Sequence, residues 1–415
     1  MTRRHWISVL FAVLLAGLAG GSLLLERRAV VEAATTQAPR FEVDPLWPKP
    51  LPNHWVIGNA IGLAVDAKDH VWIVHRAASL ERMETYLANK AADCCAPAPP
   101  VLEFDQEGNL VGHWGGPGEG YEWPDTNHGI TVDYKGNVWI GGNGRGTAPS
   151  AAAPPQPGAT GGGYVAGGYY NDNMILKFTR DGKFLMQIGH AAQSKGSNDV
   201  ENVKGAAKMF VDAKTNELIV ADGYGNKRVI VYDADTGKYK RHWGAYGNRP
   251  DDTNLGRYNP TDPPATQFRN PVHCAELSND GLLYVCDRPN DRIQVFKQDG
   301  TYVKEVFVEK NTLGDGSTWD IAFSKDKDQK YIYLADGANE KIHILQRDTL
   351  EELTSFGDGG RQPGQFYAVH SIATDSKGNI YTTETYRGQR LQKFHNKGVG
   401  PIMKKDQGAV WPSRK

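Results

Sequence analysis

A single pattern returns six times along this chain, and it restricts the available folds more than any other feature. Each copy has a short apolar run, a turn of Asp, Gly or Asn, and a second run that usually ends in an acid. In four of the copies a segment of the form Asn-x-Arg-Ile, or close to it, follows. The copies begin with Gly62-Leu-Ala-Val-Asp66 and Val71-Trp-Ile-Val-His75, then Gly129-Ile-Thr-Val-Asp133 and Val138-Trp-Ile140. Next are Met209-Phe-Val-Asp212 with Leu218-Ile-Val-Ala-Asp222, and Ala275-Glu-Leu277 with Leu283-Tyr-Val-Cys-Asp287. The last two are Asp320-Ile-Ala-Phe323 with Tyr331-Ile-Tyr-Leu-Ala-Asp336, and Ser371-Ile-Ala-Thr-Asp375 with Ile380-Tyr-Thr-Thr-Glu384. With His75, Gly142, Asp222, Asp287, Asp336 and Glu384 taken as equivalent, the steps are 67, 80, 65, 49 and 48 residues. A unit of about 40–50 residues with four short strands is a propeller blade. The longer steps contain insertions. The expected fold class is all-β, a six-bladed β-propeller. The 47 Gly and 23 Pro supply its turns, and the aromatic and β-branched content suits strands. Phe41-Glu-Val43 is the expected last strand of the sixth blade, which would leave the ring without an open sheet edge. On this reading residues 35–57 are a lead-in, 58–398 the propeller and 399–415 a C-terminal tail.

Residues 1–34 are expected to lie outside the fold. Thr2-Arg3-Arg4-His5 precedes an uncharged run from Trp6 to Leu25, and Glu26-Arg27-Arg28 stops it. The pattern is that of a cleaved export signal, with Val31-Glu32-Ala33 as a cleavage site, or of a retained anchor formed by residues 6–25. Both readings place the working domain outside the cytoplasm, periplasmic or extracellular, and the second adds a membrane contact. The formal net charge of -1, from 47 basic and 48 acidic residues, excludes a nucleic-acid binder that relies on phosphate neutralisation. A monomer is expected. Three insertions interrupt the repeats. Residues 77–100 include Cys94-Cys95 and a helical-looking segment from Leu80 to Leu87, residues 141–168 are rich in Gly, Ala and Pro, and residues 246–266 are polar. They are either surface decoration or a lid over one end of the channel.

Three of the 12 His fall in register. His128, His273 and His370 lie 14 residues before Gly142, Asp287 and Glu384, each at the start of the first strand of an alternate blade. The first strand lines the channel, so the three rings should point inward about one axis. Blade one has Ile61 at that offset. Three neutral imidazoles meeting at a point suit one Zn²⁺ with its fourth position open. Arg76 and Arg288 follow the acid position in blades one and four, and Tyr224 follows it in blade three. The arginines are either tied to a carboxylate such as Asp287 or form a fork for a substrate carboxylate. Tyr224 is either a core aromatic or a base beside the metal. A turn at Ser278-Asn-Asp-Gly281 sets Cys274 opposite Val285 or Cys286, so Cys274 and Cys286 are a candidate disulfide beside His273, with free thiols as the rival reading. Neighbours such as Cys94 and Cys95 seldom bond each other, so these two are read either as reaching other partners or as a soft-metal site.

These residues resemble a family. The repeats resemble NHL repeats, and the set as a whole resembles the lyase domain of peptidylglycine α-amidating enzymes, through most of residues 57–395. Val74-His-Arg76, Asn127-His-Gly129, Ala221-Asp-Gly-Tyr-Gly-Asn226, Val272-His273, Cys286-Asp-Arg-Pro-Asn-Asp-Arg-Ile-Gln294 and Val369-His370 carry the likeness. The resemblance implies zinc on His128, His273 and His370, Tyr224 as the catalytic tyrosine, and Arg76 and Arg288 as active-site arginines. It implies a small-molecule or peptide C-terminal substrate of α-hydroxyglycine type, cleaved by a peptidylamidoglycolate lyase reaction to an amide and glyoxylate. It also implies a structural Ca²⁺, but Ser371 stands where the family has an aspartate for that ion, and Ala368 stands where it has a methionine. Two other functions remain open: a non-enzymatic propeller that binds a protein, peptide or glycan, and a lactonase-type hydrolase. The latter would need oxygen ligands for calcium where this channel offers imidazoles.

Overall fold

The computed structural model describes residues 37–144 and 172–412. The signal or anchor at 1–34 and nearly all of the insertion at 141–168 lie outside the described residues. Six four-stranded antiparallel sheets are arranged as a ring. Blade one comprises Asn59–Val65, Val71–Arg76, Val101–Phe104 and Leu110–Trp114. Blade two is Asn127–Val132, Val138–Gly142, Ile175–Phe178 and Phe184–Ile188, and blade three is Ala206–Asp212, Glu217–Asp222, Arg228–Asp233 and Tyr239–Trp243. Blade four is Val272–Leu277, Leu282–Asp287, Arg292–Lys297 and Tyr302–Phe307, and blade five is Asp320–Phe323, Tyr331–Asp336, Lys341–Gln346 and Glu352–Phe356. Blade six takes Val369–Thr374, Ile380–Glu384 and Arg390–Pro401 from the end of the chain, and Gln37–Asp44 from its beginning. Val43 pairs with Phe394 and Phe41 with Asn396, so strands from near both ends of the described chain share one sheet.

The apolar runs form strands buried on both faces because each sheet is covered by a neighbour on either side. Along Glu217–Asp222, Leu218 and Val220 join a cluster with Trp139 and Ile175 of blade two, while Ile219 and Ala221 join one with Val272 and Val285 of blade four. The period of two thus sends alternate side chains into opposite seams. The described core divides into six such clusters, and each bridges two adjacent blades. First strands pack against first strands around the whole ring, so they line the channel.

The acid of the repeat has a fixed structural task. Asp222 pairs with Arg228 at 2.8 Å, Asp287 with Arg292 at 2.7 Å and Glu384 with Arg390 at 2.6 Å. Their other oxygens accept the backbone N–H of Lys204, Arg269 and Tyr367, in the segments that enter the first strands. These caps hold the entry to the first strands of blades three, four and six, the last two of which carry His273 and His370. Strand order puts the loops after second and fourth strands at one end of the ring, and all three insertions leave from that end. The opposite end carries the short turns, such as 134–137 and 278–281.

Two sequence expectations are corrected. The segment from Leu80 to Leu87 is not an α-helix; it contains the 3₁₀ turn Arg82–Thr85, close behind another at Ala77–Ser79. Cys94 and Cys95 are joined to each other, not to other partners. Cys274 and Cys286 face each other across strands one and two of blade four and are bonded, with Cα atoms 4.8 Å apart.

Candidate metal centre

The pairing of first with second strands slips at one place in five of the blades. It slips at Ile61 in blade one, at His128-Gly129 in blade two, at Ala207 in blade three, at His273 in blade four and at His370 in blade six. A bulge redirects the extra residue away from the regular alternation. In the even blades it turns an imidazole toward the axis. In blades one and three it presents a backbone carbonyl; blade five, whose register is unbroken, presents one just before its first strand. His128 Nδ1 donates to Ala207 O at 2.8 Å, and His370 Nδ1 donates to Ile61 O at 2.8 Å. His273 Nδ1 donates to Trp319 O at 2.5 Å, from the start of blade five. A Cβ at Gly129 would come within 2.6 Å of the Ala207 oxygen, so this close approach requires glycine.

Those three bonds fix the tautomers. A ring whose Nδ1 faces a carbonyl keeps the proton there and offers the Nε2 lone pair. Ligand atoms of the three rings lie within 4.8 Å of one another, and all three residues are only 2 % exposed. Burial pushes His128 and His273 well below the ordinary imidazole range, aided chiefly by His370 for the first and by Arg288 for the second. His370 is pushed down to about 3 by burial and by Arg288. The rings are therefore neutral near pH 7. The Tyr224 hydroxyl lies 2.9 Å from His128 Nε2 and 3.0 Å from His273 Nε2. It has one proton for two lone pairs, and His370 adds a third imidazole. Donor atoms gathered in excess of the available protons fit a divalent cation of the zinc class.

The two arginines differ. Arg76 Nε donates to Asn127 O at 3.0 Å and an Arg76 terminal nitrogen donates to Asn143 Oδ1 at 2.7 Å, so it ties blade one to blade two beside His128. Arg288 is not tied to Asp287, which is taken by Arg292. Arg288 is 6 % exposed, its Nε has no hydrogen-bond partner, and its terminal nitrogens reach Tyr224 Oη and Asp315 Oδ1 only at 3.5 Å. The structure therefore brings His128, His273, His370, Tyr224 and Arg288 together, with Arg76 at the seam beside them. The carbonyls of Ile61, Ala207 and Trp319 are functional groups the sequence reading does not find.

Farther along the channel, Lys208 Nζ lies 2.6 Å from Asp320 and 2.8 Å from Glu276. Asp320 also accepts from the backbone N–H of Ile372, and Ser371 Oγ donates to Ile61 O. The Lys208 ammonium group already pairs with both carboxylates, and Ser371 supplies no charge. The residues do not fit the structural Ca²⁺ that the family resemblance implies.

No family model matches the chain. It is 25 % identical over 281 residues to peptidyl-glycine alpha-amidating monooxygenase B of Xenopus laevis, covering 66 % of this chain and 27 % of that protein. The A form from the same organism matches at 25 % over 280 residues, covering 66 % and 25 %. The chain thus spans about a quarter of the length of these curated relatives. Among solved structures, a streptogramin B lyase aligns over 88 % of this chain and 99 % of its own, at 15 % identity and a TM-score of 0.47. A virginiamycin B lyase from Staphylococcus aureus aligns over 89 % and 94 % with a TM-score of 0.46. The sequence match, with six blades in the fold, supports the propeller lyase-domain family.

Proposed function

We propose that this chain is a metal-dependent carbon–nitrogen lyase that cleaves an N-acyl-α-hydroxyglycine, free or at a peptide C-terminus, into an amide and glyoxylate. The observation that carries this reading is the meeting of three neutral, tautomer-fixed imidazoles with a tyrosine hydroxyl and a buried guanidinium with unused donors. A zinc-class cation held by His128, His273 and His370 would supply Lewis acidity toward a substrate oxygen. Arg288 offers its free N–H groups to the substrate carboxylate, and burial strengthens that contact. Tyr224 acts first as base in its phenolate form, taking the proton of the substrate hydroxyl. The O–H electron pair becomes the second bond of the new carbonyl, and the C–N bond breaks. The nitrogen leaves with that bond pair and takes the proton back from Tyr224, so no external reactant is consumed. Arg76 holds the His128 strand against blade one.

The Cys274–Cys286 bond supports an oxidising compartment and hence export. Two measurements test the function: elemental analysis of the purified protein and glyoxylate release from benzoyl-α-hydroxyglycine. Stoichiometric zinc with glyoxylate release is expected. Protein without bound metal or turnover would instead favour a non-enzymatic binding propeller. Tyr224→Phe is expected to lower turnover about 10²–10⁴-fold with zinc retained; full turnover in that variant would remove the base assignment.

A further inference from the structure

Arg288 poses a question that the lyase reading does not answer. A buried guanidinium is normally held by carboxylates or carbonyls that use up its donors. Here the neighbouring acid serves Arg292, and the two polar contacts of Arg288 are long. Trp319 supplies the missing support. Its ring centroid lies 4.4 Å from the guanidinium carbon of Arg288. The ring is buried at 1 % exposure, and its Nε1 donates to Gly316 O at 2.7 Å. Gly316 is pressed against the Arg288 backbone, where a Cβ would come 2.0 Å from the Arg288 carbonyl oxygen. The same ring stands edge-on to His370 at 5.6 Å and lies 6.0 Å from His273.

We propose that Trp319 is the positioning residue of the carboxylate fork: it holds Arg288 through a ring face, a contact that consumes none of the guanidinium donors. A carboxylate in that place would compete with the ligand, whereas an aromatic face attracts the charge and leaves the N–H edge open. Asp315, half exposed, is the acid that touches the fork, so a ligand carboxylate displaces it. The inference rests on the lyase reading for the identity of the substrate, but not for the binding of a carboxylate.

The experiment uses the full zinc-loaded chain, with benzoyl-α-hydroxyglycine as substrate and benzoylglycine as a carboxylate probe in calorimetry. Trp319→Leu is expected to raise KM and weaken benzoylglycine binding about tenfold. Its kcat should stay within about threefold and its zinc content should not change, because the backbone carbonyl that holds His273 remains. Trp319→Phe keeps a ring and should recover most of the affinity. Asp315→Asn, on an exposed loop, should tighten benzoylglycine binding, which keeps a test available if Trp319→Leu does not fold. The proposal is overturned if wild-type protein does not bind benzoylglycine, if Leu and Phe behave alike, or if Asp315→Asn binds more weakly. If wild-type protein binds the probe in this pattern but releases no glyoxylate, the lyase reading fails while the role of Trp319 stands.

Discussion

At one end of the channel, three imidazoles, a phenol and a guanidinium converge, with fewer protons than the imidazole nitrogens can use and with an Arg288 Nε that has no partner. A few residues along the same first strands, Lys208 meets Glu276 and Asp320 at 2.8 and 2.6 Å, and Asp320 receives two backbone N–H groups as well. The loops follow the same division, with insertions at the imidazole end and short turns at the other. Both ends are built from the same six repeats. Their difference shows that blade architecture sets where side chains meet, while the balance of donors and acceptors decides whether a meeting point is structural or chemical. A satisfied network stabilises and rigidifies; an unsatisfied one awaits a ligand.

The largest expected effect breaks the unsatisfied end. His273→Ala should deplete the centre of zinc and take glyoxylate release below detection, with the melting temperature little changed. Retention of zinc in that variant would mean that His273 is not needed to hold the ion. The next effect falls on the satisfied end and reads only in stability. Lys208→Met leaves two largely buried carboxylates without their counter-charge and should cost about 3–5 kcal/mol in denaturant unfolding, with zinc content unchanged. Removing calcium with a selective chelator should leave the wild-type melting temperature unaltered, since the ammonium already stands beside those carboxylates.

A third effect is smaller and depends on pH. In blade five the acid of the repeat meets a histidine instead of an arginine: His343 lies 3.2 Å from Asp336 and 3.0 Å from Glu352. Burial opposes the charged ring, but the two carboxylates outweigh it and push His343 from 6.5 up to about 9. Folding therefore favours the protonated ring. The contribution, about 3 kcal/mol at most, is whole below pH 6.5, shrinks as pH rises and is gone above about 9. Unfolding free energies from pH 6 to 10 should show this fall in the wild type and a flatter profile in His343→Gln. A parallel fall in both would assign the dependence to other groups.

Much of this was legible before any coordinates. His128, His273 and His370 share one offset from the acid position of the repeat, held by Gly142 in blade two, because the bulge and the turn have the same length in their blades. Tyr224, Arg76 and Arg288 were marked by the same numbering. Trp319 escaped it. The turn between the first two strands of blade five spans 324–330, where that of blade four spans 278–281, and the longer turn moves Trp319 out of the 14-residue register. Lys208 and its partners come from three blades with no shared spacing. Asp287 was a possible partner of Arg288 from the sequence, and strand pairing gave that carboxylate to Arg292, an arginine the spacing had not singled out as a partner.

What the residues alone determined is the ring itself. Apolar runs at a period of two, repeated six times, can be buried on both faces only by stacking sheet against sheet until the stack closes. They also determined which blades carry imidazoles. Only the tertiary structure decided where the protons lie. The groups that fix the histidine tautomers are backbone carbonyls, identical at every position of any chain, and a carbonyl becomes a specific acceptor only when the backbone of a neighbouring blade, bulged in blades one and three and regular in blade five, turns it toward one ring.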